Sequence, residues 1–241
     1  MKFLVGCGIA ILAIIIVAVL VLGYLGFMPG VSNLFGSNKP KDLGVTYTQA
    51  DYNSAHARNG TTHTVLPAGT APEGSIKFSG SHPVNTTYSQ AEINALINNR
   101  QWEYYPLKDL QLRINADNTV EFSGIVITSR LKDYAAGLKE GDDTLKAITS
   151  YIKYIPGDPA FYAKGTVEVA NNQIVNTNIT QFKVGNLNFT SQVEGNLPDI
   201  ISAVSKQMQY YPGFSIKTLK FANGKVQFVG TLPDSARVVS K

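Results

Sequence analysis

The stretch Tyr104–Gly124, YYPLKDLQLRINADNTVEFSG, decides the fold because it recurs 106 residues later as Tyr210–Gly230, YYPGFSIKTLKFANGKVQFVG. Seven of the 21 aligned positions are identical without a gap. In each copy a proline follows two tyrosines, which ends a helix and favours extended backbone before the proline. Asn223-Gly224 in the second copy is a strong two-residue hairpin signal. Each copy therefore predicts a helix, a Tyr-Tyr-Pro corner and a β-hairpin.

The first strands of the two predicted hairpins differ in their apolar patterns. Leu110, Leu112 and Ile114 alternate with polar residues, as a half-buried strand requires. The second copy slips phase once among Ile216, Leu219 and Phe221. We expect a β-bulge in the second copy, since a bulge inserts one extra residue into a strand.

Two helix starts carry matching signals. Thr48 with Asp51 and Ser89 with Glu92 place a capping side chain three residues before an acidic one. The first helix is predicted to run to Asn59-Gly60. The helices upstream of the two corners are predicted at about 92–102 and 199–209, and the insert between the repeats adds helices at 130–138 and 142–155.

The remaining segments predict further strands. Val167 and Val169 alternate into a turn at Asn171-Asn172, and the chain runs back through 174–180, 182–184 and 187–193. Residues 61–74 are rich in turn formers and are expected to be irregular. The total is seven to nine antiparallel strands and four or five helices. This predicts an α+β domain at 42–241, with helices laid on a curved antiparallel sheet.

An apolar segment precedes this domain. Residues 3–28 contain no charged side chain, and about 20 such residues form a transmembrane helix. The run is longer than a signal-peptide core and lacks a clear cleavage site. We therefore expect an uncleaved signal-anchor transmembrane helix at 1–28 and a juxtamembrane tether at 29–41. The predicted location is the cell membrane, with a single span and the C-terminal domain outside the cytoplasm.

The charge distribution argues against nucleic-acid binding. The net charge of +4 includes Lys2, Lys39 and Lys41, and residues 42–241 hold 18 basic and 17 acidic side chains. Nucleic-acid binding requires clustered cations that neutralise phosphates. No such cluster is visible in the sequence.

Few side chains of the types used in catalysis or metal binding are present. The one cysteine is Cys7, so neither an intrachain disulfide nor a cysteine-based zinc site can form. No histidine follows His82, so most of the chain lacks the usual base for a nucleophile. The adjacent carboxylates Asp142-Asp143 open a predicted helix and suit capping. We expect no enzymatic activity, no cofactor and no metal.

Several short motifs resemble the YpmS-type family. These are Ser89–Ile97 (SQAEINALI), which is similar to the family's LTxxELNxLL opening, Lys183–Leu187 (KVGNL), and the final strand pair at 221–230. The resemblance covers about 78–231. It implies a membrane-anchored, extracytoplasmic bacterial protein with a tubular lipid-binding-like fold, and it supplies no catalytic residue.

Two functions follow as hypotheses. The resemblance favours an anchored domain that binds a lipid or a cell-envelope component. The alternative is a structural or interaction subunit of an envelope assembly, because tyrosine and tryptophan are enriched at interface hot spots. The candidate ligand or partner contacts are Trp102, Tyr104, Tyr105, Tyr210 and Tyr211. Each Tyr-Tyr-Pro can instead simply pack a helix end onto the sheet.

Overall fold

A computed structural model describes residues 36–138 and 157–240. This part of the chain contains five α-helices and eleven strands. The helices are α1 (Gln49–Asn59), α2 (Gln90–Asn98), α3 (Leu131–Gly137), α4 (Thr190–Gly195) and α5 (Leu197–Tyr210). The strands are β1 (Thr62–Val65), β2 (Ile76–Ser79), β3 (His82–Ser89), β4 (Leu107–Ile114), β5 (Val120–Val126), β6 (Ala160–Ala170), β7 (Gln173–Val184), β8 (Leu187–Asn188), β9 (Ser215–Ala222), β10 (Lys225–Leu232) and β11 (Ser235–Val238).

The larger sheet has eight antiparallel strands. Its order is β3-β10-β9-β6-β5-β4, with β7 on β6 and β8 on β7. Helices α1, α2 and α5 contribute side chains to the apolar core on one face. The core contains Ala55, Val84, Tyr88, Ile114, Val169, Ile216, Val226 and Phe228, with Ile93, Leu96 and Met208 among the residues packed on it. The helices therefore cover the apolar face of this sheet with side chains.

The smaller sheet has three strands in the order β1-β11-β2. Strand β1 pairs with β11 in parallel, whereas β11 pairs with β2 in antiparallel fashion. A second apolar cluster packs beside this sheet around Trp102, Leu138 and Val238. The tyrosine corners contribute to this cluster, which places them next to the smaller sheet.

Helix α2 lies along β4, the outermost strand of the larger sheet, and binds its backbone through side-chain amides. Asn94 accepts from the Leu112 N–H at 2.8 Å and donates to the Leu112 carbonyl at 2.8 Å. Asn98 makes the same pair with Leu110, at 3.0 and 2.8 Å. Gln90 accepts from the N–H of Ile114. These three amides, spaced four residues apart on α2, form an amide ladder that replaces a neighbouring strand.

The repeat gives the elements that the sequence predicts. Helix α2 precedes the first Tyr-Tyr-Pro corner and the β4–β5 hairpin, and α5 precedes the second corner and the β9–β10 hairpin. The predicted bulge is confirmed, because the β9–β10 register shifts between Val229 and Gly230. The first copy also has a register shift, between Lys108 and Gln111, although its apolar pattern alternates regularly. The hairpin tips meet, since the N–H of Asn223 donates to Asn118.

The predicted fold class was wrong in including a transmembrane helix. Within residues 36–138 and 157–240, no helix combines the length and apolar composition needed to cross a membrane. The longest helix there, α5, has 14 residues, whereas a span needs about 20. The predicted span at 3–28 lies outside the described residues. The structure supports an α+β fold with a curved antiparallel sheet.

Other boundaries also differ from the predictions. Residues 62–65, expected to be irregular, form β1 by pairing with β11. Residues 190–193, expected to be extended, belong to α4, which begins after Asn188 accepts from the N–H of Thr190. The helix predicted at 142–155, with Asp142-Asp143, lies outside the described residues. The domain boundaries and the location outside the cytoplasm stay predictions.

Candidate functional site

The first Tyr-Tyr-Pro corner is fixed against the C-terminal end of the described chain. The N–H of Glu103 donates to the carbonyl of Val239 at 2.8 Å, and Trp102 forms an isolated antiparallel bridge with Ser240. Pro106, which ends the corner, is buried. Backbone contacts therefore hold the corner in place independently of its side chains.

Trp102 is the buried centre of the corner, with 6% of its surface exposed. Its indole N–H donates to the hydroxyl of Ser75 at 3.0 Å. The ring packs on Gly137 of α3, where a β-carbon would lie 2.5 Å from Cζ2 of Trp102. Only glycine allows α3 to approach the indole this closely. Trp102 thus supports the site from beneath rather than presenting an open surface.

Four half-buried tyrosines pack on this cluster: Tyr104, Tyr105, Tyr134 and Tyr211. We refer to these four residues as the tyrosine surface. The ring of Trp102 lies 6.4 Å from that of Tyr104, edge to face, and 5.2 Å from that of Tyr134. Tyr211 makes edge contacts with Phe78 at 5.9 Å and Phe214 at 6.5 Å. The tyrosine surface therefore combines side chains from both repeats.

Four of the five predicted contact residues are brought to one cluster. Trp102 lies inside it, and Tyr104, Tyr105 and Tyr211 lie on it. The side chain of Tyr210 is not among those described. Tyr134 is a member that sequence reasoning missed, because nothing in the sequence of its helix indicates that α3 packs against Trp102. That these residues contact a ligand or partner stays a prediction.

The tyrosine hydroxyls remain protonated in this environment. Burial raises the pKa of Tyr105, with Arg100 acting in the opposite direction. Burial, followed by the carboxylates of Glu103, Asp133 and Glu73, raises the pKa of Tyr104. At neutral pH Tyr104 and Tyr105 thus offer rings and neutral hydroxyls.

A second polar cluster surrounds Glu121 of β5, which is 2% exposed. Its carboxylate accepts from Lys41 at 3.0 Å, Tyr162 at 2.6 Å, Asn115 at 3.1 Å and the guanidinium of Arg113. Burial opposes ionisation, but the donated hydrogen bonds from Tyr162, Arg113, Lys41 and Asn115 outweigh it and hold the pKa of Glu121 far below its ordinary value. Glu121 is therefore ionised and fully occupied by donors.

The Glu121 cluster suits structure better than acid–base chemistry. A general acid or base works best with a pKa near the operating pH, whereas that of Glu121 is strongly lowered. Burial, reinforced by Glu121, raises the pKa of Tyr162. Ser123, opposite Tyr162 on the neighbouring strand, is fully buried and its hydroxyl has no hydrogen-bond partner, so no base activates it. The cluster instead ties Lys41, upstream of α1, to the sheet.

A histidine connects the two sheets. Nδ1 of His82 lies 2.9 Å from a carboxylate oxygen of Asp234, and Nε2 lies 2.7 Å from the carbonyl of Asn59. Both partners only accept, so both contacts are hydrogen bonds only when the imidazole is protonated and charged. Asp234 also accepts from the N–H of Ser81, and Thr61 donates to the carbonyl of Pro233. Three segments of the chain, 59–61, 81–82 and 233–234, are thus bonded to one another around this histidine.

We expect the protein to be more stable at acidic pH than His82→Gln. The carbonyl of Asn59 and the carboxylate of Asp234 raise the pKa of His82 above 6.5. The stabilisation is therefore complete below pH 6.5 and is lost as the pH rises through the folded-state pKa. Urea denaturation of both proteins from about pH 5.5 to about pH 8.5 measures this, and the two curves should converge at high pH.

His63→Gln is the matched control for this experiment. Burial, followed by the charges of His56 and Arg100, lowers the pKa of His63. Its contribution is therefore present above pH 6.5 and lost as the pH falls, which is the opposite sign. Parallel pH profiles for the wild-type protein and His82→Gln would show that the two hydrogen bonds do not hold the charged imidazole.

Groups of three or more metal-ligating side chains do not occur in residues 36–138 and 157–240. An open groove of about 550 Å³ lies between β3, β9 and β10, and its lining includes the apolar residues Pro83, Val84 and Val229 and the polar residues Lys217 and Asn85. It is separate from the tyrosine surface in its lining residues. No protein-family model, curated protein or solved structure matches the chain. The resemblance to YpmS-type proteins therefore stays a prediction.

Proposed function

We propose that the protein is a non-enzymatic binding domain that holds a protein partner through the tyrosine surface. The observation that carries the proposal is the convergence of four half-buried tyrosines, from three segments of the chain, on the buried cluster of Trp102, Leu138 and Val238. Tyrosine and tryptophan provide large contact areas with few rotatable bonds and are enriched at interface hot spots.

The rigid support beneath the tyrosine surface favours this function. Trp102 is fixed by its hydrogen bond to Ser75 and its contact with Gly137. Glu103 is fixed by its bond to Val239. A surface that is ordered before binding loses less conformational entropy when a partner docks. The saturated carboxylate of Glu121 supports the non-enzymatic part of the proposal.

A lipid or envelope component is the second candidate, and the groove between β3, β9 and β10 favours it. Its volume of about 550 Å³ is in the range of small-molecule sites. Its apolar lining residues and the amine of Lys217 suit an amphipathic anion. Against this candidate, the apolar face of the large sheet is packed with side chains of α1, α2 and α5.

Cross-linking with a double variant tests the proposal. Tyr104→Ser/Tyr211→Ser should weaken partner binding by about 30-fold or more, since a hot-spot residue contributes about 2 kcal/mol. The partner is recovered by cross-linking in cells that express the chain natively, and its affinity is then measured with purified proteins. Thermal denaturation establishes that the variant is folded.

Tyr47→Ser is the control, because Tyr47 is 41% exposed and lies in the segment before α1. It should leave partner binding unchanged. Equal binding by the double variant would overturn the proposal. So would the recovery of stoichiometric lipid, and of no protein partner, when the purified protein is extracted with organic solvent. That result would favour the second candidate.

A further inference from the structure

The two ends of the tyrosine surface differ in charge. The charges of three carboxylates from separate segments act on Tyr104: Glu103 precedes it in sequence, Asp133 lies on α3, and Glu73 lies on the 3₁₀ turn Pro72–Gly74. Helix α3 packs against this turn, since a β-carbon on Gly137 would lie 3.0 Å from the carbonyl of Pro72. The same helix places the ring of Tyr134 on Trp102.

None of these three carboxylates forms an ion pair within residues 36–138 and 157–240. Their combined field reaches the hydroxyl of Tyr104, whose pKa is raised by burial and then by Glu103, Asp133 and Glu73. Lys132, the exposed cation next to Asp133 in sequence, also has no ion pair there. The Tyr104 end therefore has a net negative charge, since three carboxylates stand against the one exposed lysine beside Asp133.

Two arginines lie near Tyr105 instead. A guanidinium nitrogen of Arg130 donates to the carbonyl of Tyr105 at 3.2 Å. The charge of Arg100 acts on the hydroxyl of Tyr105 and lowers its pKa against the effect of burial. An anionic partner group would be attracted to this end and repelled by the three carboxylates at the other.

We propose that the Tyr104 end of the tyrosine surface binds a lysine or arginine side chain of the protein partner. This inference rests on the proposed function and names the chemistry of its partner. Aromatic rings attract cations over their faces, and the half-buried rings of Tyr104 and Tyr134 both lie against the buried indole of Trp102. The carboxylates of Glu73, Glu103 and Asp133 add the charge that selects a basic group over an acidic or neutral one.

Titration with a hexa-arginine peptide tests the inference. Calorimetry gives the affinity, and the fluorescence of Trp102, the single tryptophan of the chain, reports whether the peptide reaches this cluster. Hexa-arginine should bind, change the fluorescence and lose affinity as salt is added, whereas hexa-glutamate should not bind. The variant Glu73→Gln/Glu103→Gln/Asp133→Asn should bind hexa-arginine about tenfold more weakly.

The control removes the same number of carboxylates elsewhere. Glu194→Gln/Asp199→Asn/Asp42→Asn lies on α4, α5 and the segment before α1, and it should bind hexa-arginine as the wild-type protein does. Tyr104→Leu keeps an apolar side chain and should weaken binding by removing the ring. A similar loss in the control variant, or no binding of hexa-arginine by the wild-type protein, would overturn the inference.

Two outcomes separate the basic chemistry of the partner from partner binding by the tyrosine surface. A partner lost in Tyr104→Ser/Tyr211→Ser but retained in the triple carboxylate variant would overturn only the basic chemistry of the partner. Hexa-arginine binding that depends on the three carboxylates, together with no partner lost in the tyrosine variant, would overturn only the proposed function.

Discussion

Replacing Asn94 by alanine is expected to lower the free energy of unfolding by about 3 kcal/mol, because two partly buried backbone groups of Leu112 lose their partners. The amide of Asn94 bonds both the N–H and the carbonyl of Leu112, and Asn94 is 0% exposed. Alanine favours the helix more than asparagine, so the loss cannot come from helix propensity. Urea denaturation measures the change.

Asn94→Asp separates the two halves of this interaction. The carboxylate keeps the acceptor for the Leu112 N–H but places a negative charge against the Leu112 carbonyl, so we expect a loss at least as large. Asn53→Ala on α1 is the control, since the exposed Asn53 bonds only Gln49 on its own helix. If Asn94→Ala costs no more than Asn53→Ala, the amide ladder does not stabilise the fold.

Glu121→Gln is expected to lower the free energy of unfolding by about 3 kcal/mol at pH 7. This value is the lower end of the range for breaking a buried ion pair. Glutamine keeps the shape but leaves Lys41 and Arg113 without their counter-charge. The lower value applies because the side chains of these two cations are 49% and 40% exposed, whereas that of Glu121 is 3% exposed. Chemical denaturation at several pH values measures the difference.

The pH dependence identifies Glu121 as the source of this stability. Its folded-state pKa is lowered from 4.5, so its contribution is complete above pH 4.5 and is lost as the pH falls through the folded-state pKa. The difference between the wild-type protein and Glu121→Gln should therefore shrink in acid. Glu168→Gln, which removes the exposed pair with Lys220, should cost less than about 1 kcal/mol. Equal costs for the two variants would contradict the prediction.

The features that the sequence predicts are those set by a few neighbouring residues. Both capping boxes form as expected, with Thr48 and Asp51 bonded to each other's backbone and likewise Ser89 and Glu92. The turn at Asn171-Asn172 has both residues at positive φ, as does the turn at Asn223-Gly224. Such signals are local because the side chain and the backbone it stabilises lie within four residues.

Features that depend on distant pairing could not be predicted. Strand β1 exists because Thr62–Val65 pairs with Ser235–Val238, and nothing within residues 61–74 indicates that partner. The apolar stripe of Ile93, Leu96 and Ile97 indicates a core-facing helix, yet the fully buried residues of α2 are Asn94 and Ala95. The polar face of α2 is buried because it meets strand backbone rather than apolar side chains.

The candidate site was predicted in its residues but not in its assembly. The two Tyr-Tyr-Pro corners are evident in the sequence, whereas their meeting at the cluster of Trp102, Leu138 and Val238 depends on how the two sheets are connected. Trp102, predicted to contact a ligand or partner, lies buried against Ser75 and Gly137, and its contact with a ligand or partner stays a prediction. The carboxylates around Tyr104 come from three separate segments, so their convergence has no sequence signal.

The amide ladder of α2 also affects how molecules of this protein meet one another. An outer strand with free N–H and carbonyl groups is a template on which another polypeptide can add and begin a fibril. In β4 the outward-facing groups of Leu110, Leu112 and Ile114 are already bonded to Asn98, Asn94 and Gln90. Helix α2 therefore protects this rim against polymerisation, and a chain that lost its amides would be prone to self-association even while it stayed folded.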